Sequence, residues 1–210
     1  MCDSTVPATI LCKIGGSLLD LPGLASVISG ILCRNAPSPT LIVPGGGAAA
    51  DAVRTWDTVH GLADEAAHEL ALAAMDLTGD LLAKLVPGMR QVCSIQQAQR
   101  AASDGVTGLL CAGCFVNSAE AQGHPPLERS WRVTSDSIAA WTAQVLGGAS
   151  LILVKSVSLP PGITLADAAQ IGLVDEAFPQ LAQRLPLIGW INARGPSPAV
   201  ETWILTRSAG

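Results

Sequence analysis

The chain has 210 residues, enough for one core or two small, tightly packed lobes at roughly 150 residues per domain. Hydrophobic residues make up 49% and charged ones only 14%, which excludes disorder as the main state. A net charge of -5, with three lysines among twelve basic residues, excludes a surface built to release counterions from nucleic acid, and no apolar run reaches the ~20 residues of a membrane span.

Met1 to Thr5 carry no basic segment ahead of an apolar stretch, and Lys13 with two glycines cuts short the run that starts at Ala8, so the expectation is a cytoplasmic protein. That run, Ala8 to Ile14, reads as the first strand. A helix should follow, with Asp20 as its cap and Pro22 in its first turn, reaching about Leu32. Thr40 to Val43 is a second strand, leading into a helix from Gly47 to Trp56. The longest helix spans Leu62 to Val86, where Leu70, Ala74, Leu77, Leu81 and Leu85 keep a three-or-four spacing expected to face the sheet, and Pro87-Gly88 stops it. Strands are expected at Gln91 to Ile95 and Gly108 to Cys111, a loop bordering a site at Asn117 to Ser130, and a helix at Ser135 to Leu146. Ser150 to Lys155 and Leu187 to Asn192 complete the strands. This alternation predicts an α/β fold around a mainly parallel sheet, with no internal repeat or linker that forces a domain split.

Six cysteines, mostly within apolar segments, read as small buried hydrophobes in a reducing compartment rather than a disulfide framework. Cys111-Ala-Gly-Cys114 is the one spacing that invites zinc or redox chemistry. It would need a second ligand pair or a following helix N-terminus, neither of which the sequence displays, so the pair reads as core or strand-end residues.

Four segments carry chemistry. Lys13-Ile-Gly-Gly-Ser17 places a compact positive charge at a strand end beside a turn whose backbone can approach an anion; a tight turn with a solvated lysine is the plainer reading. Val43-Pro-Gly-Gly-Gly47 repeats the arrangement at another strand end. Two such loops at one edge of a parallel sheet mark the place where ligands of open α/β sheets collect, and neither fits the Walker or the dinucleotide pattern. Val133-Thr-Ser-Asp-Ser137 puts Asp136 in the first turn of a helix, either complementing its dipole or holding lysines or magnesium. Lys155 ends another apolar strand, so two of three lysines sit at strand C-termini, while Lys84 reads as a solvated helix charge. The five tryptophans read as core or dimer-seam residues.

In this order the segments resemble the amino acid kinase family. The match runs from Lys13 through Pro44-Gly45-Gly46-Gly47 and Thr134-Ser135-Asp136-Ser137-Ile138-Ala139-Ala140 to Lys155, then to Asn192-Ala193-Arg194. His60-Gly61-Leu62, Glu65-Ala66-Ala67-His68, Ala74-Met75-Asp76 and Trp131-Arg132-Val133-Thr134 are similar to a short branch that phosphorylates an aminomethylfuran phosphate in methanofuran and methylofuran biosynthesis. The resemblance implies a three-layer α-β-α sandwich forming one domain over residues 1–210, with an acceptor half to about 130 and a shortened nucleotide half from about 131. It further implies ATP and magnesium, with no metal held by the protein alone, and a homo-oligomer. Lys13, Asp136 and Lys155 would be catalytic, with Gly15, Gly16, Ser17, Gly45, Gly46, Gly47 and Ser135 binding phosphate or substrate. Asp51, His68 and Asn192 would be candidates for contact with the acceptor; His60 and His124 carry weaker claims. The chain departs from the family in its nucleotide half: Ser156-Val-Ser-Leu-Pro160-Pro161 replaces Asp-Gly-Val-Tyr, and no Gly-Met with a following lysine precedes the last strand. A kinase for another phosphomonoester, such as isopentenyl phosphate or a nucleoside monophosphate, and a non-catalytic nucleotide or oxyanion binder are the alternatives.

Overall fold

The computed structural model describes residues 9–196 and 198–205. Strand β1 (Ile10–Ile14), helix α1 (Leu24–Asn35), β2 (Thr40–Pro44), α2 (Gly47–His60), α3 (Asp64–Leu85), β3 (Arg90–Val92), α4 (Ile95–Ser103), β4 (Gly108–Leu110) and α5 (Ala112–Ala121) make up the first part of the chain. Helix α6 (Ser135–Val145), β5 (Ser150–Lys155), α7 (Leu165–Gln170), α8 (Phe178–Ala182), β6 (Leu187–Asn192) and β7 (Glu201–Leu205) follow. The seven strands form one sheet in the order β3-β4-β2-β1-β5-β6-β7, parallel throughout except for β7 against β6. The α/β class and the three layers are as the sequence implies.

Alternation along the strands feeds two cores. Leu11, Leu151 and Leu153 point to one face, where they meet Met75, Phe115, Ile138 and Trp141. Cys12, Ile14, Ile152 and Val154 point to the other, under Ile28 and Ile31 of α1 and Leu82 of α3. The chain builds outward from β1 through β2 on one side and returns to its other side with β5. The strand order therefore reverses at β1, and the crevice at the carboxyl ends of β1 and β5 is where such a sheet binds ligands.

Several expectations shift. Ala8 lies outside the described residues, and Thr9 is not part of the first strand, which begins at Ile10. Asp20 does not cap α1: Gly23 holds that place in the left-handed region at φ 80°, and Asp20 pairs with Arg194. Ile95 belongs to α4, whose start is fixed by Ser94 accepting the Gln97 N–H at 3.2 Å. The segment read as a loop from Asn117 is helical to Ala121 and irregular only afterwards. Helix α3 turns Ala67, Leu72, Met75, Thr78, Gly79 and Leu82 inward, while Leu70, Leu77, Leu81 and Leu85 stay 39–64% exposed, so the leucine stripe does not face the sheet. Among the cysteines of the described residues only Cys12 is buried, and burial pushes its thiol up to about 12; Cys33 and Cys114 are exposed. No helix of the described residues is long and apolar enough to cross a membrane.

Candidate active site

Lys13 on β1 is in register with Leu153 on β5, so Lys155 stands two residues further along the neighbouring strand and on the same face. Both ammonium groups thus converge on the N-terminus of α6. Asp136, in its first turn, lies between them: Lys13 Nζ is 2.9 Å from Oδ1 and Lys155 Nζ donates to Oδ2 at 2.7 Å. The Lys13 approach lies off the hydrogen-bond axis, leaving Oδ1 with no hydrogen bond among the described residues. Lys155 also donates to the Leu173 carbonyl at 2.8 Å.

All three side chains are largely buried. Burial alone would raise the Asp136 carboxyl, but the charges of the two lysines and the hydrogen bond from Lys155 outweigh it and hold it at about 2. Burial and then the Lys13 charge pull the Lys155 amine down to about 8, against the opposing pull of Asp136. Two cations share one anion here, leaving a net positive charge in a water-poor floor that favours an arriving phosphate.

The two glycine turns form the rim and interlock backbone to backbone. A Cβ at Gly16 would lie 2.3 Å from the Gly47 nitrogen, and one at Gly45 would lie 2.5 Å from the Gly16 nitrogen. Gly47 adds a φ of +52°, and the Thr78 hydroxyl of α3 donates to the Gly45 carbonyl at 2.8 Å. The turns also do different work. The Gly15 N–H donates to the Val154 carbonyl at 2.8 Å, so it stitches β1 to β5 and is not a free anion donor as expected. The second turn opens α2, whose cap Gly46 and first residues have no intrahelical partners for their amides, and no side chain caps them.

Between these turns and α6 lies a cleft of about 350 Å³ bordered by Lys13, Gly15, Gly16, Ser17, Gly46, Gly47, Ser135, Asp136 and Lys155. Its other wall comes from Asp51 and Arg54 of α2, His68, Leu72 and Met75 of α3, and Trp131. Of the expected site residues the fold brings all but two to this cleft. Gly45 lies behind the rim, packed against Gly16. Asn192 follows in register beside Lys155 but is turned to Ser158, to whose hydroxyl it donates at 2.9 Å, and borders a separate cavity. His60, at the end of α2, is exposed, and His124 borders another cavity with Trp141.

His68 is buried with no hydrogen bond to Nε2 among the described residues; burial, then Arg129, lower its pKa against the pull of Glu120. A neutral imidazole nitrogen without a partner at the cleft wall is a ready contact for a polar ligand atom. Trp131 is fixed by its indole N–H donating to Asp57 at 2.7 Å, with the Arg54 guanidinium 4.7 Å above its ring. Arg129, paired with Glu120 at 2.7 Å, anchors the segment that delivers it.

The sequence reading missed Asp175. Its carboxylate accepts from the Thr134 N–H at 3.1 Å, the Thr134 hydroxyl at 2.8 Å, the Ser137 N–H at 2.9 Å and the Ser137 hydroxyl. It thereby caps α6 from a distant segment and sets the turn on which Asp136 stands. Burial and then the Asp136 charge raise its pKa, so these donors are what sustain it there.

Residues 8–167 match the amino acid kinase family. Over 201 residues, 90% of each chain, the protein is 26% identical to the (5-(aminomethyl)furan-3-yl)methyl phosphate kinase of Methanocaldococcus jannaschii. Among solved structures, the UMP kinase of Ureaplasma parvum superposes with a TM-score of 0.65 at 14% identity, over 91% of this chain and 92% of that one. The UMP kinase of Bacillus anthracis gives 0.61 at 16% identity, over 90% and 89%. The uridylate kinase of Archaeoglobus fulgidus gives 0.59 at 15%, over 87% and 88%.

Proposed function

The chain belongs to the amino acid kinase family and is a phosphotransferase, and from that premise we propose that it passes the terminal phosphoryl group of ATP to the phosphate of a small phosphomonoester, forming a diphosphate. The observation that carries this reading is the Lys13–Asp136–Lys155 floor beneath two glycine turns. Phosphoryl transfer asks little covalent work of a protein and much positioning and charge neutralisation. Lys13 and Lys155 supply the charge, Asp136 holds them at a fixed spacing, and the open amides of α2 together with Ser17 and Ser135 hold phosphate oxygens.

The acceptor would enter by the wall of Asp51, Arg54, His68 and Trp131, in the half of the chain to about residue 130 and the Trp131 turn that closes it. A flat ring suits the Trp131, Leu72 and Met75 side chains, and a furan phosphate of the kind named in the Methanocaldococcus relative fits that description. The nucleotide would lie over the ends of β5 and β6, where Lys155 stands 5.6 Å from the Trp190 ring centroid and a cavity of about 310 Å³ opens beside Ser158 and Asn192. Magnesium favours oxygen ligands, yet both oxygens of Asp136 already face lysines. The fit is therefore to a magnesium ion carried on the nucleotide phosphates, which it would help neutralise, without a protein cage. The cytoplasm is the compartment this reading assigns, and a homo-oligomer the assembly.

The test is ADP release with magnesium and ATP across a panel of phosphomonoesters: (5-(aminomethyl)furan-3-yl)methyl phosphate, isopentenyl phosphate and UMP. Turnover should depend on one acceptor and fall roughly 1000-fold or more in folded Lys13→Ala and Asp136→Asn proteins. ATP binding with no acceptor turned over would favour the binding-only alternative, and no ATP binding at all would remove the nucleotide assignment.

A further inference from the structure

Away from the cleft, the carboxyl ends of β3 and β4 bring three cysteines together. Cys93 follows β3, Cys111 follows β4 and stands at the cap of α5, and Cys114 sits in the first turn of that helix. Parallel pairing of Val92 with Leu110 sets Cys93 level with Cys111, and the Cys111 N–H donates to the Val92 carbonyl at 3.0 Å. Their three sulfur atoms lie within 4.8 Å of one another, and all three are free thiols. The third ligand and the helix N-terminus that the Cys111-Ala-Gly-Cys114 spacing lacked are therefore both supplied by the fold.

We propose that Cys93, Cys111 and Cys114 form a three-thiolate site for a soft d10 cation, zinc or copper(I). A cation about 2.3 Å from each sulfur needs the sulfurs only about 4 Å apart, so small side-chain rotations close the site without moving the backbone. Soft thiolates select these two metals over magnesium or calcium. Cys114 is exposed and the other two are half-buried, which gives the ion a path in and leaves a further coordination position open to solvent. Burial foremost, with the Cys114 thiol and the Asp76 carboxylate adding to it, pushes the Cys93 and Cys111 thiols up. A cation bound there would displace the thiol protons.

The site also has a structural reach. Asp76 of α3 accepts the Ala112 N–H at 2.5 Å and the Gly113 N–H at 3.3 Å, tying α5 to the helix that carries Met75 into the cleft and Thr78 to the Gly45 carbonyl. A bound cation would clamp β3, β4 and α5 beside that helix, whatever the acceptor proves to be.

Reduced full-length protein, kept anaerobic, is titrated with zinc against a chromophoric chelator and, separately, with copper(I) against a copper(I)-selective one; cobalt(II) serves as a spectroscopic stand-in for zinc. One equivalent should bind, cobalt should show thiolate charge-transfer absorption, and affinity should fall roughly 100-fold in Cys93→Ser and Cys114→Ser but not in Cys33→Ser. Zinc alone or copper(I) alone at one equivalent identifies the ion. A reduced parent protein that binds neither, a Cys114→Ser protein that binds as tightly as the parent, or a cluster that only forms a disulfide would each overturn the assignment. Because Cys114 is exposed, that variant tests the ligand and not the fold.

Discussion

Lys155 carries its charge at a cost that shows in two pH dependences of opposite kind. Its amine is lowered from an ordinary 10.5 to about 8 by burial and the Lys13 charge. Between those values the unfolded chain holds a proton that the folded chain has lost, so this group makes stability rise with pH across that window. Activity should run the other way, since a neutral Lys155 no longer offsets phosphate charge. The expected outcome is kcat/KM for ATP falling about tenfold per pH unit above about 8; Lys155→Arg, however reduced in rate, should lose that limb because a guanidinium stays charged. A flat profile through pH 9 in the parent protein would show that Lys155 does not face the nucleotide. Asp136 behaves in the usual carboxylate sense: held at about 2 against an ordinary 3.8, it contributes stability above its ordinary value that is lost as pH falls toward 2.

At the scale of elements, the interlocked turns make a sharper claim than anion binding alone. Gly16 is required because the Gly47 backbone fills the space of its side chain, whereas a Cβ at Gly30 on α1 would meet only the far end of Arg34 at 3.5 Å. Gly16→Ala should therefore push the turns apart, costing about 1–3 kcal/mol of stability and nearly all turnover; Gly30→Ala should leave turnover unchanged and add up to about 1 kcal/mol. Thermal unfolding and initial rates on the same preparations decide it, and a Gly16→Ala protein of full activity would sink the account. Both glycine turns, both strand-end lysines and Asp136 were legible in the sequence because strand ends and helix starts have local signatures. Asp175 was not: its partners Thr134 and Ser137 are remote in the chain, and nothing near it marks a cap supplied in trans to another helix. The third thiol escaped for the same reason, since only the β3–β4 pairing brings Cys93 to Cys111. Helices α4, α7 and α8 were missed because each is short and α4 is polar on most of its surface.

For the whole molecule, the face of α3 that periodicity could not orient has the largest consequence. The helix is apolar on two sides, and spacing finds such faces without ranking them. Small residues decided the matter: Gly79 lets the helix approach until a Cβ there would touch the Pro44 ring at 3.4 Å, while the bulkier leucines are turned out. Leu70, Leu77, Leu81 and Leu85 repeat at intervals of seven and four, a seam two helices can share, and Leu77 is 64% exposed. Contiguous apolar surface of this kind is rarely left to solvent by a soluble chain, and a two-fold axis would let one stripe cover its own copy. The expected outcome is a dimer by light scattering on the purified protein and a monomer for Leu77→Glu, because two carboxylates would then face each other across the seam. Since Leu77 is exposed and does not border the cleft, the monomer should still bind ATP; a parent protein that is monomeric at all concentrations would leave the stripe to another partner and sink the dimer.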